Sequence, residues 1–366
     1  MFFGSFFRRT LLNMVAIGAA IGVLASWSPA ADAEEKKVFR LCWTTDVGRA
    51  PWGYAQLSGI MEKWADKYGI SVEIVRENDY EKSISAYAAG VYDACAITNI
   101  DAFRLAISEG IDTTAIIVSG VSNGNVGIVT KDGGDLRSVV GKPVLLVEQS
   151  VSQYLLDRAF KSVGANIQDA ILIDTRDVAI AKAFKSGSTS AAVTWNPMLA
   201  EMLKIPGAKR VFDTTQIPGE IMEVVIARTS TLIENPELGK ALAGAWYEVM
   251  ALMVPTRDAG KDFDAGNLLP VSAFLTAIFD KELAATTMFY YPKDAAAFVE
   301  SNDLKKAMDF VRKFWFDQGF MAAAASPDAV GIAFADGSIS GNKQNVKLQF
   351  TSQYMKLNIN SQFSSE

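Results

Sequence analysis

Two α/β units following one another in a single chain are what the sequence predicts, on three observations. Short apolar runs alternate with stretches whose apolar residues recur at helical spacing. Glycines stand where the helical stretches stop, as at Gly69, Gly90 and Gly110. The alternation then begins again near Asn125. Strands and helices in strict alternation favour a largely parallel sheet covered by helices on both faces.

In the first unit, Val38–Trp43 reads as a strand and Leu57–Tyr68 as a helix closed by Gly69. Ile70–Val75 alternates as a second strand, and Tyr80–Ala89 forms a helix stopped by Gly90. Ala94–Ile97 is a third strand, Ile100–Glu109 a helix, and Thr114–Val118 a fourth strand. The second unit runs through strands at Val126–Thr130, Val144–Val147, Ala170–Ile173 and Ser190–Thr194, with helices over Ser152–Val163, Val178–Lys185 and from Pro197 through Leu203. Val211–Phe212 and Val224–Ala227 flank a connection over Thr214–Glu223. A largely helical region follows, with helical spacing over Glu237–Met253, Ser272–Phe279 and Leu304–Gln318, and a tail from Ser361. No internal repeat is present.

The N-terminus follows the plan of a secretory leader. Arg8 and Arg9 precede an apolar run from Leu11 to Leu24, and Ala31-Asp32-Ala33 is a small-x-small cleavage site. That apolar run is short of the roughly 20 residues of a spanning helix, which argues against a membrane anchor. Arg8-Arg9 also fits a twin-arginine signal, although Phe7 stands where Ser or Thr is usual, so both the Sec and Tat routes stay open. Residues 1–33 are therefore expected to be a signal peptide. Their removal takes away two Arg and one Asp, leaving 33 basic and 40 acidic side chains and a charge of −7. No dense basic patch is available for nucleic acid.

The chain has 366 residues, half of them hydrophobic, enough for one or two domains with a substantial core. It contains no histidine, which removes Ser-His-Asp and Cys-His catalysis and the histidine-containing zinc sites. There is no phosphate-binding Walker loop and no dinucleotide fingerprint. No cofactor, metal or catalytic residue is expected, and the balance moves toward binding. Cys42 and Cys95, the two cysteines, fall on the first and third strands, neighbours in the implied sheet. A disulfide and a pair of buried thiols both remain open.

In open α/β sheets a ligand sits beyond the carboxyl ends of the strands. That rule selects Trp43, Thr44, Asp46 and Trp52 after the first strand and Thr98, Asn99 and Asp101 after the third. In the second unit it selects Glu148, Ser150, Tyr154, Trp195 and Asn196, with Glu220 and Glu223 on the return connection. Thr98, Asn99, Ser150 and Asn196 are equally good helix N-caps. Acids outnumber Arg49, Arg104 and Arg176 on this rim. Helix N-termini by themselves favour anions, so added carboxylates and indole faces point to a cationic ligand. A planar guanidinium in particular matches a carboxylate edge to edge.

Several stretches carry a family resemblance: Gly90–Ala96, Val118–Gly124, Gly141–Val144, Trp195-Asn196-Pro197 and Ile217–Glu220. Through them nearly the whole chain beyond the leader resembles the substrate-binding component of ABC importers of the taurine/sulfonate/nitrate type. Ile217–Glu220, with Val330–Ile332 and Asn345–Leu348, is similar more narrowly to the subgroup encoded beside urea carboxylase, which is associated with guanidine and urea. The resemblance implies a class II periplasmic-binding fold, two Rossmann-like lobes joined by a two-crossing hinge, with a helical C-terminal extension. Residues 36–121 and 222–366 are expected to form lobe 1 and residues 122–221 lobe 2. It further implies a monomeric periplasmic receptor for guanidinium or urea, working with a permease and an ATPase subunit. Taurine, an alkanesulfonate or nitrate is the alternative ligand, and Arg49 or Arg176 facing the cleft with the acids turned outward would favour it. An enzyme on the same fold is a further alternative, to which neither cysteine, each inside a strand, lends a free nucleophile.

Overall fold

Three parallel strands set the frame of the first sheet. The computed structural model describes residues 38–131, 133–187, 189–259, 274, 282–321 and 325–359. The leader at 1–33, all but Phe274 of the helix expected over Ser272–Phe279, and the tail from Ser361 lie outside the described residues. Strands β1 (Val38–Thr44), β2 (Ser71–Glu77) and β3 (Ala94–Thr98) pair in parallel in the order β2-β1-β3. All five residues of β3 are buried, as expected of a strand covered on both faces.

The neighbour of β3 on its other side is not the next strand in sequence. β4 (Thr113–Ser122) is separated from β3 by β10 (Met222–Arg228), which pairs antiparallel with both. The sheet is therefore mixed where the alternation predicts it mostly parallel. The chain returning from the second unit enters the first from the far end, and its strand runs back through the middle of the sheet.

The second sheet is built from β5 (Val126–Thr130), β6 (Pro143–Leu146), β7 (Ile171–Asp174), β8 (Ala191–Trp195) and β9 (Lys209–Asp213), ordered β7-β6-β8-β5-β9. It repeats the plan of the first: three parallel strands, then one antiparallel strand, β5, flanked by β9. In both sheets the antiparallel strand is the one that has just crossed from the other sheet.

Helices fill the connections. The helix expected over Leu57–Tyr68 is α2 (Ile60–Lys67); α1 (Pro51–Leu57) precedes it in the stretch after β1, and Gly59, with a left-handed φ of +76°, separates the two. α3 (Tyr80–Ala88), α4 (Asn99–Ser108) and α5 (Val151–Ser162) start at the side-chain caps Asp79, Thr98 and Ser150. α6 (Asp177–Ser186), α7 (Met198–Leu203), α8 (Thr229–Glu234) and the long α9 (Pro236–Ala259) follow. Beyond them the chain holds α10 (Pro292–Val299), α11 (Asn302–Asp317) and α12 (Gln353–Lys356).

The C-terminal region is helical only in part. β11 (Thr286–Met288) pairs antiparallel with β4, and β14 (Val346–Phe350) pairs parallel with β4. β12 (Gly331–Ala333) and β13 (Ile339–Ser340) then continue the sheet outward. β11, β12 and β13 hold only two or three residues, too few for periodicity to register, whereas β14 is as long as β3.

Two strands of chain connect the sheets. The first leaves β4 at Ser122 and enters β5 at Val126; the second runs from Asp213 to Met222. Hydrogen bonds tie them together: the Gly124 N–H donates to Thr214 Oγ1 at 2.7 Å, and the Ser122 N–H donates to the Ile221 carbonyl at 2.9 Å.

Cys42 and Cys95 occupy paired positions on β1 and β3 and form a disulfide. The bond lies just below the strand ends that carry Thr44 and Thr98. Replacing both cysteines by alanine is expected to lower stability by about 2–4 kcal/mol. Denaturant unfolding of the double variant beside the oxidised protein checks this, and equal midpoints would count against it.

Candidate functional site

The antiparallel strands decide which residues meet. Because β10 runs against β3, Glu223 at its start is paired with Thr98 at the carboxyl end of β3. Because β5 runs against β8, Asn125 just before it lies beside the end of β8, and its carbonyl accepts from the Asn196 N–H at 3.1 Å. The carboxyl edge of each sheet thereby gains a residue from the chain crossing between them.

A buried charged cluster occupies this edge. Asp46, Arg49, Tyr80, Asp101, Asn125 and Glu223 are each at most 3% exposed. Arg49 is its centre: Nη1 donates to Thr44 Oγ1 at 2.8 Å, Nη2 lies 3.5 Å from Asp46 Oδ2, and Nε lies 3.1 Å from Glu223 Oε2. Its guanidinium also sits 4.7 Å from the centre of the Tyr80 ring. Asp46 accepts from the Gly48 N–H at 2.8 Å and from Asn125 Nδ2 at 2.7 Å. Gly48 is required here, since a Cβ at that position would stand 2.7 Å from Glu223 Cγ.

Asp101, in the first turn of α4, is held by hydroxyls. Tyr80 donates to its Oδ2 at 2.6 Å and Thr98 at 2.7 Å, while Arg104 Nε lies 3.6 Å from Oδ1. Trp195, at the end of β8, meets the Tyr80 ring edge-on at 5.5 Å. Asn125–Asp46 and Trp195–Tyr80 are thus contacts between the two sheets. At the mouth, Arg176 Nε donates to Asp79 Oδ2 at 2.8 Å, again from one sheet to the other.

Charge and hydrogen bonding in the cluster are unbalanced. Glu223 Oε2, Asp101 Oδ1, Asn125 Oδ1 and Arg49 Nε are buried and make no hydrogen bond of good geometry. Burial pushes the Glu223 carboxyl up to about 8; Arg49 opposes that rise, and Asp46 and Asp101 add to it. Burial alone would lower the Arg49 guanidinium, but Glu223 and Asp46 outweigh it and Arg49 stays charged. Burial likewise lifts the Tyr80 phenol well above its ordinary value, so it remains a donor to Asp101.

Of the residues selected from the sequence, Thr44, Asp46, Thr98, Asp101, Trp195 and Glu223 come together here. Tyr154 and Glu220 form a separate group: Glu220 takes Arg158 on both oxygens, at 2.7 and 2.8 Å, and the Tyr154 hydroxyl at 2.6 Å. Asn99 pins the second crossing, donating to the Glu220 carbonyl and accepting from the Met222 N–H. Ser150 and Asn196 serve helix starts, accepting from the Ser152 and Ala200 N–H groups. Glu148 is half-buried at the end of β6, its N–H donated to Asp174. Trp52 meets Trp246 of α9 in a tilted contact at 5.1 Å, and Trp43 packs against Gly53 of α1; both belong to the core and not to the cluster.

Tyr80 and Asn125 are members that the strand-end selection does not include, and Arg49, expected either as a partner of the acids or as a cleft residue for an anion, stands at the centre. The strand-end rule applied to β2 reaches Tyr80 directly. Asn125 has no such signal, because its place follows from an antiparallel strand. Among the described residues no group of three or more His, Cys, Asp or Glu side chains is placed to hold a metal ion.

The raised Glu223 carboxyl makes stability depend on pH. Folded protein keeps a proton that the unfolded chain releases, so this contribution is complete below the ordinary carboxylate range and is lost as pH rises to about 8. Its slope approaches about 1.4 kcal/mol per pH unit. Glu223→Gln should flatten that part of the stability profile between pH 5 and 8, as denaturant unfolding across the range will show; an unchanged slope would place the proton elsewhere.

The fold is shared with known binding proteins. The alkanesulfonate-binding protein SsuA from Xanthomonas axonopodis pv. citri, bound to MOPS, superposes with a TM-score of 0.61 at 14% identity, over 79% of this chain and 96% of that one. The aliphatic sulphonate-binding SsuA from Escherichia coli gives 0.56 at 15% identity, over 78% and 94%. The periplasmic nitrate-binding protein NrtA from Synechocystis PCC 6803 gives 0.52 at 12% identity, over 89% and 98%. At these identities the likeness is one of fold. No curated protein matches the chain in sequence. The NMT1/THI5-like family model matches residues 63–258, more than half of the chain, and the protein belongs to that family.

Proposed function

We propose that this protein is a periplasmic solute receptor of an ABC importer, and that its ligand is a small planar nitrogen compound, guanidinium before urea. The two sheets act as lobes, residues 36–121 and 222–366 against residues 122–221, and the crossings near Asn123 and Ile217 are the hinge. Residues 1–33 direct export. The protein acts as a monomer that delivers its ligand to a permease driven by an ATPase. The alkanesulfonate- and nitrate-binding proteins that share the fold support the receptor role.

One observation carries the ligand class: Asp46, Asp101 and Glu223 are buried on one edge, and Asp101 Oδ1 and Glu223 Oε2, facing arginine nitrogens at 3.6 and 3.1 Å, have no hydrogen bond of good geometry. Buried acceptors without a well-aligned donor call for a ligand rich in N–H donors, and a cation beside Glu223 would favour the ionised form that burial now opposes. Guanidinium supplies both in one plane, with faces suited to Tyr80 and Trp195. Thr44 and Thr98 supply hydroxyls beside them. Urea matches the shape without the charge.

A second reading, an alkanesulfonate or nitrate receptor, has the buried Arg49 in its favour. It needs an arginine in the cleft with the acids turned away. The acids are buried with Arg49, and Arg176 is largely exposed and paired with Asp79.

Calorimetric titration with guanidinium, urea, taurine and nitrate at several pH values separates these ligands. Guanidinium is expected to bind, and its affinity to rise from pH 6 to about 8 as Glu223 gives up its proton. Urea, being neutral, should show little such dependence. Saturable binding of taurine or nitrate with no response to guanidinium would defeat the cationic assignment.

A further inference from the structure

Arg49 touches every kind of group that a guanidinium ligand is expected to use. Two carboxylates, a hydroxyl and an aromatic face surround it: Asp46 and Glu223, Thr44, and the Tyr80 ring. It is nonetheless held imperfectly. The Asp46 contact is 3.5 Å long, and the buried Nε, though 3.1 Å from Glu223, makes no hydrogen bond of good geometry. Its tether explains this: Arg49 sits in a tight turn whose N–H groups at 49 and 50 both donate to the Asp46 carbonyl. The backbone is fixed three residues from Asp46, and the fork meets each acid through a single nitrogen and not edge to edge. A free planar ion has no such constraint and can align with both.

We infer that Arg49 is an intramolecular competitor for the ligand, its guanidinium holding the place between Asp46 and Glu223 that a free guanidinium takes by displacing it. This rests on the cationic assignment of the same site. Competition by a tethered group lowers apparent affinity by the fraction of molecules in which that group has withdrawn. It also sets selectivity. A ligand must replace two carboxylate contacts, a hydroxyl contact and a ring contact together, which a planar ion with N–H groups on every edge does and a compact ammonium does not.

Titration of the wild type, Arg49→Met and Arg49→Lys with guanidinium tests the inference. Arg49→Met is expected to bind at least about tenfold more tightly than wild type, a difference of about 1.4 kcal/mol. Arg49→Lys keeps a buried positive charge and should gain less, so it serves if the methionine variant does not fold. A second readout is the Nε–Hε resonance of Arg49 in the ¹⁵N-arginine-labelled wild type, assigned by its loss in Arg49→Lys. It should move from a shielded to a solvent-exposed position as guanidinium saturates.

The outcomes separate the two claims. Binding to wild type with no gain in either variant, or with an unmoved Arg49 resonance, overturns the competition and leaves the guanidinium receptor standing. Binding to Arg49→Met but not to wild type upholds the competition and removes guanidinium as the natural ligand. Binding to neither overturns both.

Discussion

Three carboxylates cannot be buried together without a counter-charge, and the centre of this protein is arranged around that constraint. A lone ionised carboxylate in an apolar interior is too costly to keep. Asp46, Asp101 and Glu223 survive there because Arg49 stands between two of them, Glu223 keeps its proton near neutrality, and two hydroxyls and Arg104 hold Asp101. Taking one partner from a buried ion pair typically costs about 3–5 kcal/mol, since the other charge stays behind. Much else follows from keeping this group assembled. Gly48 is bare so that Glu223 can approach, β10 runs antiparallel so that Glu223 arrives at the carboxyl edge, and Asn125 reaches over from the second sheet to finish Asp46.

A second polar group shows how different a purely structural arrangement looks. Glu220 receives both forks of Arg158 and the Tyr154 hydroxyl, leaving its carboxylate fully used. Around it α5 and α11 meet through the Tyr154–Phe314 edge contact at 5.2 Å and the Gln153–Gln318 hydrogen bond at 3.0 Å. These contacts brace the second crossing from the side. Both groups contain acids, an arginine and a tyrosine, and composition alone does not tell them apart. What tells them apart is satisfaction: Glu220 has its donors, whereas Glu223 and Asp101 each keep a buried oxygen without one.

Local structure was legible in the sequence because it depends on neighbours along the chain. Caps such as Thr98 and Ser150, and stops such as Gly90, are written within a few residues of what they terminate. Partnership across the sheets was less so. Nothing near Val224 says that it slots between β3 and β4, and nothing near Val346 or Ile332 says that short strands will extend the sheet. The same limit divides the site. Asp46, Thr98 and Asp101 follow strand ends in their own unit and are found by rule, while Asn125 depends on the crossing. Trp52 obeys the rule and still turns away, because α9, distant in sequence, offers Trp246 to pack against.

The sign of the preferred ligand follows from how helix and side-chain charges add. The N-termini of α3 and α4 both open onto the cluster, and alone they would draw an anion. Asp101 sits in the first turn of α4 and offsets that partial charge, so the helix end contributes little to the site. What remains is Arg49 against Asp46 and Glu223, one positive group shared by two acids. Burial above all raises the Glu223 carboxyl to about 8, Asp46 and Asp101 add to the rise, and Arg49 opposes it without cancelling it, so the carboxyl holds its proton near neutrality. An added anion would deepen the cost of ionising Glu223, and an added cation would relieve it.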